Sequence, residues 1–339
     1  MTTAFRWGIL GTGSIAKQFV IGLKALPDHA LAAVGSRSQA SADAFAKEHG
    51  AARAHASYEA LAADPAIDAI YIATPHPLHR ANTVLALDHG KAVLCEKPFA
   101  VNAVEAEAMV AGATRNRRFL MEAMWTRFLP ATRQVVAWLA AGAIGEVRLL
   151  NVDFGFRCGW DPQSRLLAPA LAGGALLDVG IYTLDYAHLV FGRQPASFAA
   201  KAHLGETGVD EQAAILASYP GGALAALTCA VRTNTPHDVW IHGSEGRIHV
   251  PNFWRATSAT LMADGKEAQI VNLPFAGNGY EYQAAEVARC VREGRRESDV
   301  MPLAETLATM RTMDAIRAQI GLRYPMDPVL VDHTATKGV

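Results

Sequence analysis

Residues 6–16 read RWGILGTGSIA, an apolar run that leads into a glycine-rich turn. Trp7–Leu10 has the length and apolarity of a strand that is buried on both faces of a parallel sheet. Gly11 permits a tight turn, Gly13 lets backbone approach a pyrophosphate, and the small Ala16 allows a helix to pack closely on the strand. The stretch therefore predicts a dinucleotide-binding turn, with an ordinary glycine-rich loop as the alternative.

A helix is predicted to begin directly after this turn. Ser14 and Ile15 open it, and its N-terminus is expected to offer free N–H groups and a partial positive charge to the phosphates. Because the turn follows the first strand of a strand–helix series, the dinucleotide interpretation is favoured.

The first 123 residues alternate short apolar runs with amphipathic stretches, which predicts a doubly wound parallel sheet of the Rossmann type. Asn102, with Glu105 three residues later, predicts a capped helix start. The predicted strands are Trp7–Leu10, Ala30–Val34, Ala69–Ala73 and Ala92–Cys95. The predicted helices are Ser14–Leu26, Ala40–His49, Leu78–His89 and one that ends at about Thr114.

From about Met124 the pattern changes. It predicts an α+β domain over residues 124–330 with a large, mainly antiparallel open sheet, and a frayed tail over residues 331–339. Helices are predicted over Ala131–Ala141 and Gly174–Phe191, each closed by a glycine. The predicted strands are Val147–Phe156, Phe198–His203, Gln212–Ser218, Ala223–Val231, Val239–His242 and Ala259–Met262.

The composition is that of a folded protein of two domains, with 339 residues of which 51% are hydrophobic and 19% charged. The net charge is −1 and basic residues form no blocks, so no nucleic-acid-binding surface is expected. Neither a secretory signal nor a membrane span is expected from the apolar runs. The four cysteines are far apart and no group has metal-ligand spacing, which favours a cytoplasmic protein without a bound metal.

The end of the second predicted strand bears on the choice of cofactor. An NAD-selective site places an acidic residue about here for the ribose 2′-OH, but the chain has Ser36, Arg37 and Ser38. The guanidinium and the two hydroxyls suit a 2′-phosphate, which favours NADP over NAD. A solvated surface arginine is the alternative.

A carboxylate and an ammonium, Glu96 and Lys97, end the predicted strand Ala92–Cys95. Ligands in open α/β sheets collect at the carboxyl ends of strands, so Lys97 is expected to reach the nicotinamide end of the cofactor and a substrate oxygen. Pro98 restricts Lys97 to extended conformations and permits a cis peptide bond. A Glu–Lys pair in solvent is the alternative.

Polar residues form a stripe on the predicted helix Gly174–Phe191. At about 100° per residue, Asp178, Tyr182 and Asp185 lie within about 60° of one another. A cation near Tyr182, from Lys97 or oxidised nicotinamide, is expected to lower the pKa of the phenol and make it a general acid/base. On the helix alone, a buried tyrosine with a satisfied hydroxyl is the alternative.

Four motifs together resemble the Gfo/Idh/MocA oxidoreductase family across nearly the whole chain. They are GTGSIA at residues 11–16, ATPHPLH at 73–79, EKP at 96–98, and the double glycine at 173–174 followed by Asp178 and Tyr182. Residues 122–128 and 297–303 resemble its branch of dimeric dihydrodiol dehydrogenases and NADP-linked D-xylose dehydrogenases.

The resemblance implies a Rossmann domain followed by an α/β domain whose open sheet often forms the oligomer interface, hence a homodimer or homotetramer. It implies that Lys97 contacts substrate and cofactor, and that Tyr182 replaces the histidine of many members. The implied cofactor contacts also include Thr74, Pro75, His76, His79 and Glu96. The implied substrate pocket includes Trp125, Arg127, Phe154 and Asp178. Trp125 and Phe154 are alternatively core residues, and His76 and His79 alternatively lie at a helix entry or on the surface.

These features predict hydride transfer between NADP, or alternatively NAD, and a carbinol carbon of a cyclic polyol, such as an aldose at C1 or a trans-dihydrodiol. Lys97 and Tyr182 are expected to manage the hydroxyl proton, while Asp178 orients the substrate or the tyrosine. The alternatives are a ketosugar reductase of the anhydrofructose type, an inositol dehydrogenase, and a catalytically silent NADP sensor.

Overall fold

The computed structural model describes residues 4–327, and the predicted tail over residues 331–339 lies outside them. A six-stranded sheet, parallel at every pairing, forms the N-terminal half in the order β3-β2-β1-β4-β5-β6. Its strands are β1 Phe5–Leu10, β2 His29–Gly35, β3 Arg53–His55, β4 Ala69–Ile72, β5 Ala92–Cys95 and β6 Leu120–Glu122. The predicted parallel sheet is confirmed, and the short β3 and β6 extend it at both edges.

Helices connect these strands and begin at polar caps. Ser38, Ser57 and Asn102 each accept a hydrogen bond from a backbone N–H in the first turn of the helix that follows. The first helix ends three residues before its predicted end at Leu26. The helices are α1 Ser14–Leu23, α2 Gln39–His49, α3 Tyr58–Ala63, α4 His79–Asp88 and α5 Ala103–Asn116.

The C-terminal half contains an eight-stranded sheet in the order β14-β13-β12-β11-β7-β10-β9-β8. Within this eight-stranded sheet, as far as its strands are described, only the β7–β10 pair is parallel, so the predicted mainly antiparallel sheet is confirmed. The strands are β7 Val147–Gly155, β8 Ser197–Leu204, β9 Asp210–Ser218, β10 Leu224–Ala230, β11 Val239–Gly243, β12 Gly246–Val250, β13 Ser258–Ala263 and β14 Gln269–Asn272.

The helix predicted over Gly174–Phe191 is not uniform. Its first part, Leu176–Gly180, is a π-turn, and a regular helix begins only at Ile181. Gly180 packs closely on β10, since a Cβ there would lie 2.9 Å from the sulfur of Cys229. Single π-helical turns within α-helices, called π-turns here, are frequent at functional sites. The regular helices of this half are α6 Pro130–Ala140, α7 Ile181–Phe191, α8 Tyr280–Arg292 and α9 Leu303–Ile320.

The last two helices return to the N-terminal sheet. α8 packs against α1, where a Cβ on Gly22 would lie 2.9 Å from the backbone nitrogen of Glu281. α9 packs against α5, and Asp314 accepts a hydrogen bond from the Ala103 N–H at 2.8 Å. The two sheets are therefore joined by more than the segment after β6.

The four cysteines are free thiols. Within residues 4–327, no helix combines the length and apolarity needed to cross a membrane. The same residues contain no group of three or more His, Cys, Asp or Glu side chains arranged to hold a metal ion.

Candidate active site

A cleft of about 260 Å³ opens at the carboxyl ends of β1, β4 and β5 and extends to the π-turn. This is where ligands of doubly wound sheets bind, because the strand order changes direction there. We call it the cofactor cleft. It is lined by Gly13, Ser14, Ile15, Ala73, Thr74, Pro75, His76, His79, Glu96, Lys97, Arg165, Leu171 and Asp178.

The glycine-rich turn lies at one end of the cofactor cleft. Gly11 has φ +108°, and a Cβ there would lie 2.8 Å from the Ala73 carbonyl oxygen. Gly13 precedes α1 and supplies no side-chain cap, and a Cβ there would meet no heavy atom within 4 Å. Gly13, Ser14 and Ile15 line the cofactor cleft, so the first turn of α1 borders space that fits a bound pyrophosphate.

The residues predicted to contact a 2′-phosphate follow β2. Ser36 is buried, whereas Arg37 is exposed at the surface. Ser38 is engaged as the cap of α2, since its hydroxyl accepts a hydrogen bond from the Ser41 N–H at 3.5 Å. Arg37 is therefore the strongest candidate of the three for a phosphate contact.

The side chain of Lys97 crosses from the parallel sheet to the π-turn. Its Nζ donates a hydrogen bond to the Asp178 carbonyl oxygen at 2.7 Å and lies 3.4 Å from Oδ1 of the same residue. The same Nζ lies 4.9 Å from the centroid of the Tyr182 ring. The Lys97–Pro98 peptide bond is cis. The structure thus brings together the three side chains predicted to be catalytic.

Asp178 is buried between two cations. Its Oδ1 accepts a hydrogen bond from Nη1 of Arg165 at 2.8 Å and faces Lys97. Burial alone would raise the pKa of this carboxyl, but Lys97 and Arg165 outweigh burial and hold the pKa well below its usual range. Asp178 therefore stays ionised. Arg165 was not predicted, because it lies in the irregular segment after β7, where no periodic pattern indicates a tertiary contact.

Tyr182 is almost fully buried beside these charges. Its hydroxyl oxygen accepts a hydrogen bond from Nε1 of Trp125 at 3.1 Å. Burial, followed by the nearby Glu96, raises the pKa of the phenol well above 10. The expectation that Lys97 lowers this pKa is therefore not met, since the ammonium faces the ring and its charge is balanced by Asp178.

Glu96 lies at the inner wall of the cofactor cleft. Its carboxylate accepts hydrogen bonds from the Tyr71 hydroxyl and from the Lys97 backbone N–H, the latter at 3.3 Å. Burial raises the pKa of Glu96 to about 7, although Tyr71 and Lys97 both act to lower it. This carboxyl can therefore change its charge near neutral pH.

The two predicted histidines join separate turns. His76 donates from Nδ1 to the Ala172 carbonyl oxygen at 3.3 Å, and burial lowers its pKa to about 3, so it is neutral. The ring nitrogens of His79 face the carbonyl oxygens of Thr74 at 2.8 Å and Pro98 at 2.9 Å. His79 thus ties together two walls of the cofactor cleft.

Trp125 and Phe154 pack around the Tyr182 phenol, with the Phe154 ring edge-on to the Tyr182 ring at 5.3 Å, and their place in the substrate pocket stays a prediction. Arg127 makes different contacts. It is 2% exposed, and its Nε bonds both oxygens of Asp185 at 2.8 and 3.0 Å, while Nη1 bonds Glu305. Two carboxylates hold it inside the protein, so its predicted place in the substrate pocket is not supported. Asp185, predicted on one stripe with Asp178, faces this separate ion pair.

A second cavity of about 570 Å³ lies beyond Trp125, and we call it the aromatic cleft. The indole of Trp125 stacks on Tyr280 at 4.5 Å and meets Trp254 edge-on at 5.9 Å. No sequence pattern singled out Trp254 or Tyr280, because they come from a turn and a helix distant in the chain. The lining is completed by Gln18, Pro251, Asn252, Arg255, Thr257, Ser258, Phe275 and Asn278.

Two family models match the chain. Residues 5–124 match an oxidoreductase family with an NAD-binding Rossmann fold, and residues 132–249 match the GFO/IDH/MocA C-terminal domain. The matched segments correspond to the parallel sheet and to most of the mainly antiparallel sheet.

Full-length relatives and solved structures are similar to the chain. Trans-1,2-dihydrobenzene-1,2-diol dehydrogenases from Danio rerio and Mus musculus are 40% and 38% identical, each match covering 96% of this chain and 99% of the relative. An aldose-aldose oxidoreductase from Caulobacter crescentus is 26% identical with a TM-score of 0.85, over 93% of this chain and 97% of that one. A 3-ketoreductase from Actinomadura kijaniata, in complex with NADP and TDP-benzene, is 27% identical with a TM-score of 0.82, over 94% and 98%.

Proposed function

The chain belongs to the GFO/IDH/MocA family of oxidoreductases, and from that premise we propose that it transfers a hydride between NADP and a carbinol carbon of a sugar or cyclic diol. The observation that carries the proposal is the convergence of Lys97, Asp178 and Tyr182 beside the cofactor cleft. A trans-dihydrodiol or an aldose oxidised at C1 is the substrate class we favour. The names of the similar dehydrogenases and oxidoreductases and the aromatic cleft support it.

The residues present fit a dinucleotide. The first turn of α1 and Gly13 would hold the pyrophosphate, Arg37 the 2′-phosphate, and the segment from Thr74 to His76 the far ribose and ring. When bound, nicotinamide supplies the hydride acceptor or donor. NAD remains the alternative cofactor.

Tyr182 and Lys97 would handle the substrate proton. Because burial keeps the phenol protonated, Tyr182 can donate a proton to the substrate oxygen in reduction and take it back in oxidation. The Lys97 ammonium would donate a hydrogen bond to the same oxygen, favouring its deprotonated form. Asp178, always ionised, would anchor Lys97 and accept a hydrogen bond from a neighbouring substrate hydroxyl.

The proposal is tested by steady-state rates across sugars, inositols, dihydrodiols and their ketones, with NADP and NAD in parallel. We expect turnover of an aldose or a trans-dihydrodiol, followed by the absorbance of reduced nicotinamide. Faster turnover of a ketosugar or an inositol would support a reductase of the anhydrofructose type or an inositol dehydrogenase. Tight NADPH binding with no turnover of any compound would overturn the enzymatic proposal in favour of a cofactor sensor.

Arg37→Ala is expected to weaken NADP binding about tenfold or more and to leave NAD binding unchanged. A hydrogen bond to a charged group contributes roughly 1.5–3 kcal/mol, and about 1.4 kcal/mol corresponds to tenfold in affinity. Dissociation constants for both cofactors, measured by calorimetry, check this. Arg115→Ala is the control, because Arg115 is an exposed arginine near the C-terminal end of α5 that pairs with Asp88 and does not line the cofactor cleft. Equal losses of NADP and NAD affinity would contradict the assignment.

We also propose that the protein is a homodimer or homotetramer assembled through the outer face of the second sheet. Large apolar side chains are exposed there, including Leu216 at 56%, Leu224 at 41% and Ile270 at 66%. Ala226 pairs with Leu216 across β9 and β10, and Ala214 lies two residues before Leu216 on the same face, so the surface around Leu216 is low and apolar. Exposed large apolar side chains on one sheet face are typical of protein–protein interfaces, and an isologous contact forms most simply from such a face.

Leu216→Asp is expected to convert the oligomer largely to monomer, because it places a charge among the exposed apolar side chains of the proposed interface. Sedimentation velocity at several protein concentrations measures the change. Val104→Asp is the control, since Val104 is 60% exposed but lies on α5, away from the second sheet. A mutant with the same assembly size as the unaltered protein would argue against this interface.

The domain boundary after residue 123 and a cytoplasmic location are further parts of this proposal. The boundary is supported by the end of β6 at Glu122 and by the family model that stops at residue 124. The location is supported by four cysteines that remain thiols.

A further inference from the structure

The oxygen of Tyr182 has one hydrogen-bond partner among residues 4–327. Nε1 of Trp125 donates to it at 3.1 Å, and both side chains are buried, with exposures of 4% and 6%. An indole N–H is a donor only, so the phenol oxygen must be the acceptor. The proton of Tyr182 is given to no acceptor among the described residues, and it is therefore available to a ligand.

The indole is fixed in this position. It stacks on Tyr280 at 4.5 Å with an interplanar angle of 17° and meets Trp254 edge-on. Gly279 approaches the opposite edge so closely that a Cβ there would lie 2.6 Å from Cζ3 of Trp125. Rotation of the indole away from Tyr182 would need movement of these neighbours, so the N–H points at the phenol without further ordering.

The charges around Tyr182 come from several elements and largely oppose its ionisation. Glu96 at the end of β5 and Asp178 in the π-turn disfavour a phenolate, and Arg165 from the loop after β7 favours it. The Lys97 ammonium lies over the ring and is paired with Asp178. Tyr71 and Tyr280, the other titratable groups that face the phenol, are themselves buried and neutral. The Trp125 N–H is thus the group that donates a hydrogen bond directly to the Tyr182 hydroxyl oxygen.

We propose that Trp125 is a positioning residue for the reaction: its N–H directs the Tyr182 hydroxyl proton toward the substrate and stabilises the tyrosinate left when that proton moves. This inference rests on the proposed function, because it takes Tyr182 as the group that exchanges the proton. In reduction the Tyr182 O–H bond breaks as the substrate oxygen gains the proton, and the resulting phenolate keeps the Trp125 hydrogen bond. In oxidation the same phenolate takes the proton back. The hydrogen bond strengthens as the oxygen becomes charged, which is the condition for it to contribute to turnover.

Trp125→Phe tests the inference, since phenylalanine can still stack on Tyr280 but has no N–H. The limb of the kcat–pH profile that reports Tyr182 is expected to move to higher pH by about one unit, which is about a tenfold loss of oxidative turnover below that limb. The sign follows because loss of a donor to the phenolate raises the pKa of the phenol. A change in KM alone, with the limb in place, would mean that Trp125 only lines the pocket and would overturn the inference.

Trp254→Phe is the matched control, because it also removes an indole from the aromatic cleft. The Nε1 of Trp254 has no hydrogen-bond partner among the described residues. The KM of Trp254→Phe can change, but the limb of its kcat–pH profile should stay at the same pH. If Trp125→Phe does not fold, Gly279→Ala is the second variant, because its methyl presses on the indole edge opposite the N–H and displaces the donor. The limb should then move from its original pH, and an unmoved limb there would overturn the inference. Tyr182→Phe distinguishes failure of the proposed function from failure of the role of Trp125. Retained turnover in Tyr182→Phe would overturn the proposed function. Lost turnover in Tyr182→Phe, together with an unchanged limb in Trp125→Phe, would overturn only the role of Trp125.

Discussion

Lys97→Met is expected to lower kcat by about a thousandfold while the NADP dissociation constant changes by less than about threefold. Positioned acid–base and charge-stabilising groups each contribute typically 10²–10⁴-fold, and methionine keeps the length of the side chain without its charge. The cofactor's phosphates are expected at Gly13 and Arg37, away from the ammonium, so binding should persist. Single-turnover rates and NADPH fluorescence titration measure the two quantities separately.

The fold of this variant needs its own check. Asp178 loses one of its two cations but keeps the hydrogen bond from Arg165 at 2.8 Å, so the carboxylate is not left without a partner. Thermal unfolding should therefore remain cooperative. Lys266→Met, in the exposed turn before β14, is the control for loss of a lysine and should keep full turnover. Near-normal kcat in Lys97→Met would remove Lys97 from the proposed chemistry.

Tyr182→Phe is expected to lower kcat by about two to three orders of magnitude, because it removes the proton that the structure leaves free for a ligand. A stability loss of about 1–3 kcal/mol is expected as well, since the buried Trp125 N–H loses its acceptor. Rates with saturating cofactor and substrate, measured well below the unfolding temperature, separate the two effects.

Tyr186→Phe provides a control one helical turn away. Tyr186 is buried on the same helix, and its hydroxyl has no hydrogen-bond partner among the residues described. Removing that hydroxyl should leave turnover unchanged and cost no stability. Equal losses in both variants would show that the helix tolerates no change, and the specific role of Tyr182 would then have no support.

The fold was largely predictable because local patterns dictate it. The buried strands β1, β4 and β5 begin or end within two residues of their predictions, and the family resemblance is confirmed by the matching models. The strands β3 and β6 have three residues each and are too short to show a hydrophobic periodicity from which a strand could be predicted. The helices α8 and α9 lie outside the predicted elements, and their burial against α1 and α5 depends on contacts that no local window contains.

The candidate site was predicted in part. The motif positions of Lys97, Asp178 and Tyr182 follow from strand ends and helix spacing, and these residues do converge. Arg127 shows the limit of such reasoning, because a motif neighbour of Trp125 can point into a buried ion pair with Asp185. The π-turn changes the helical angle, and the pKa of the phenol depends on burial and on Glu96, none of which a residue spacing encodes.

The packing of α8 and α9 against the N-terminal half determines which segments of this chain can be exchanged with those of another protein. Arg292 pairs with Asp28 at 2.7 Å, and Arg317 donates to the Val101 carbonyl oxygen at 2.9 Å. The helices α8 and α9 are therefore held against the N-terminal half of the chain. A nucleotide-binding module cut out at residue 123 would leave bare the helix surfaces that these contacts cover. A chimeric protein that contains the first sheet would therefore need α8 and α9 as well, to keep these helix surfaces covered and the protein soluble. The first sheet and these two helices form one unit in space, although other residues separate them in the sequence.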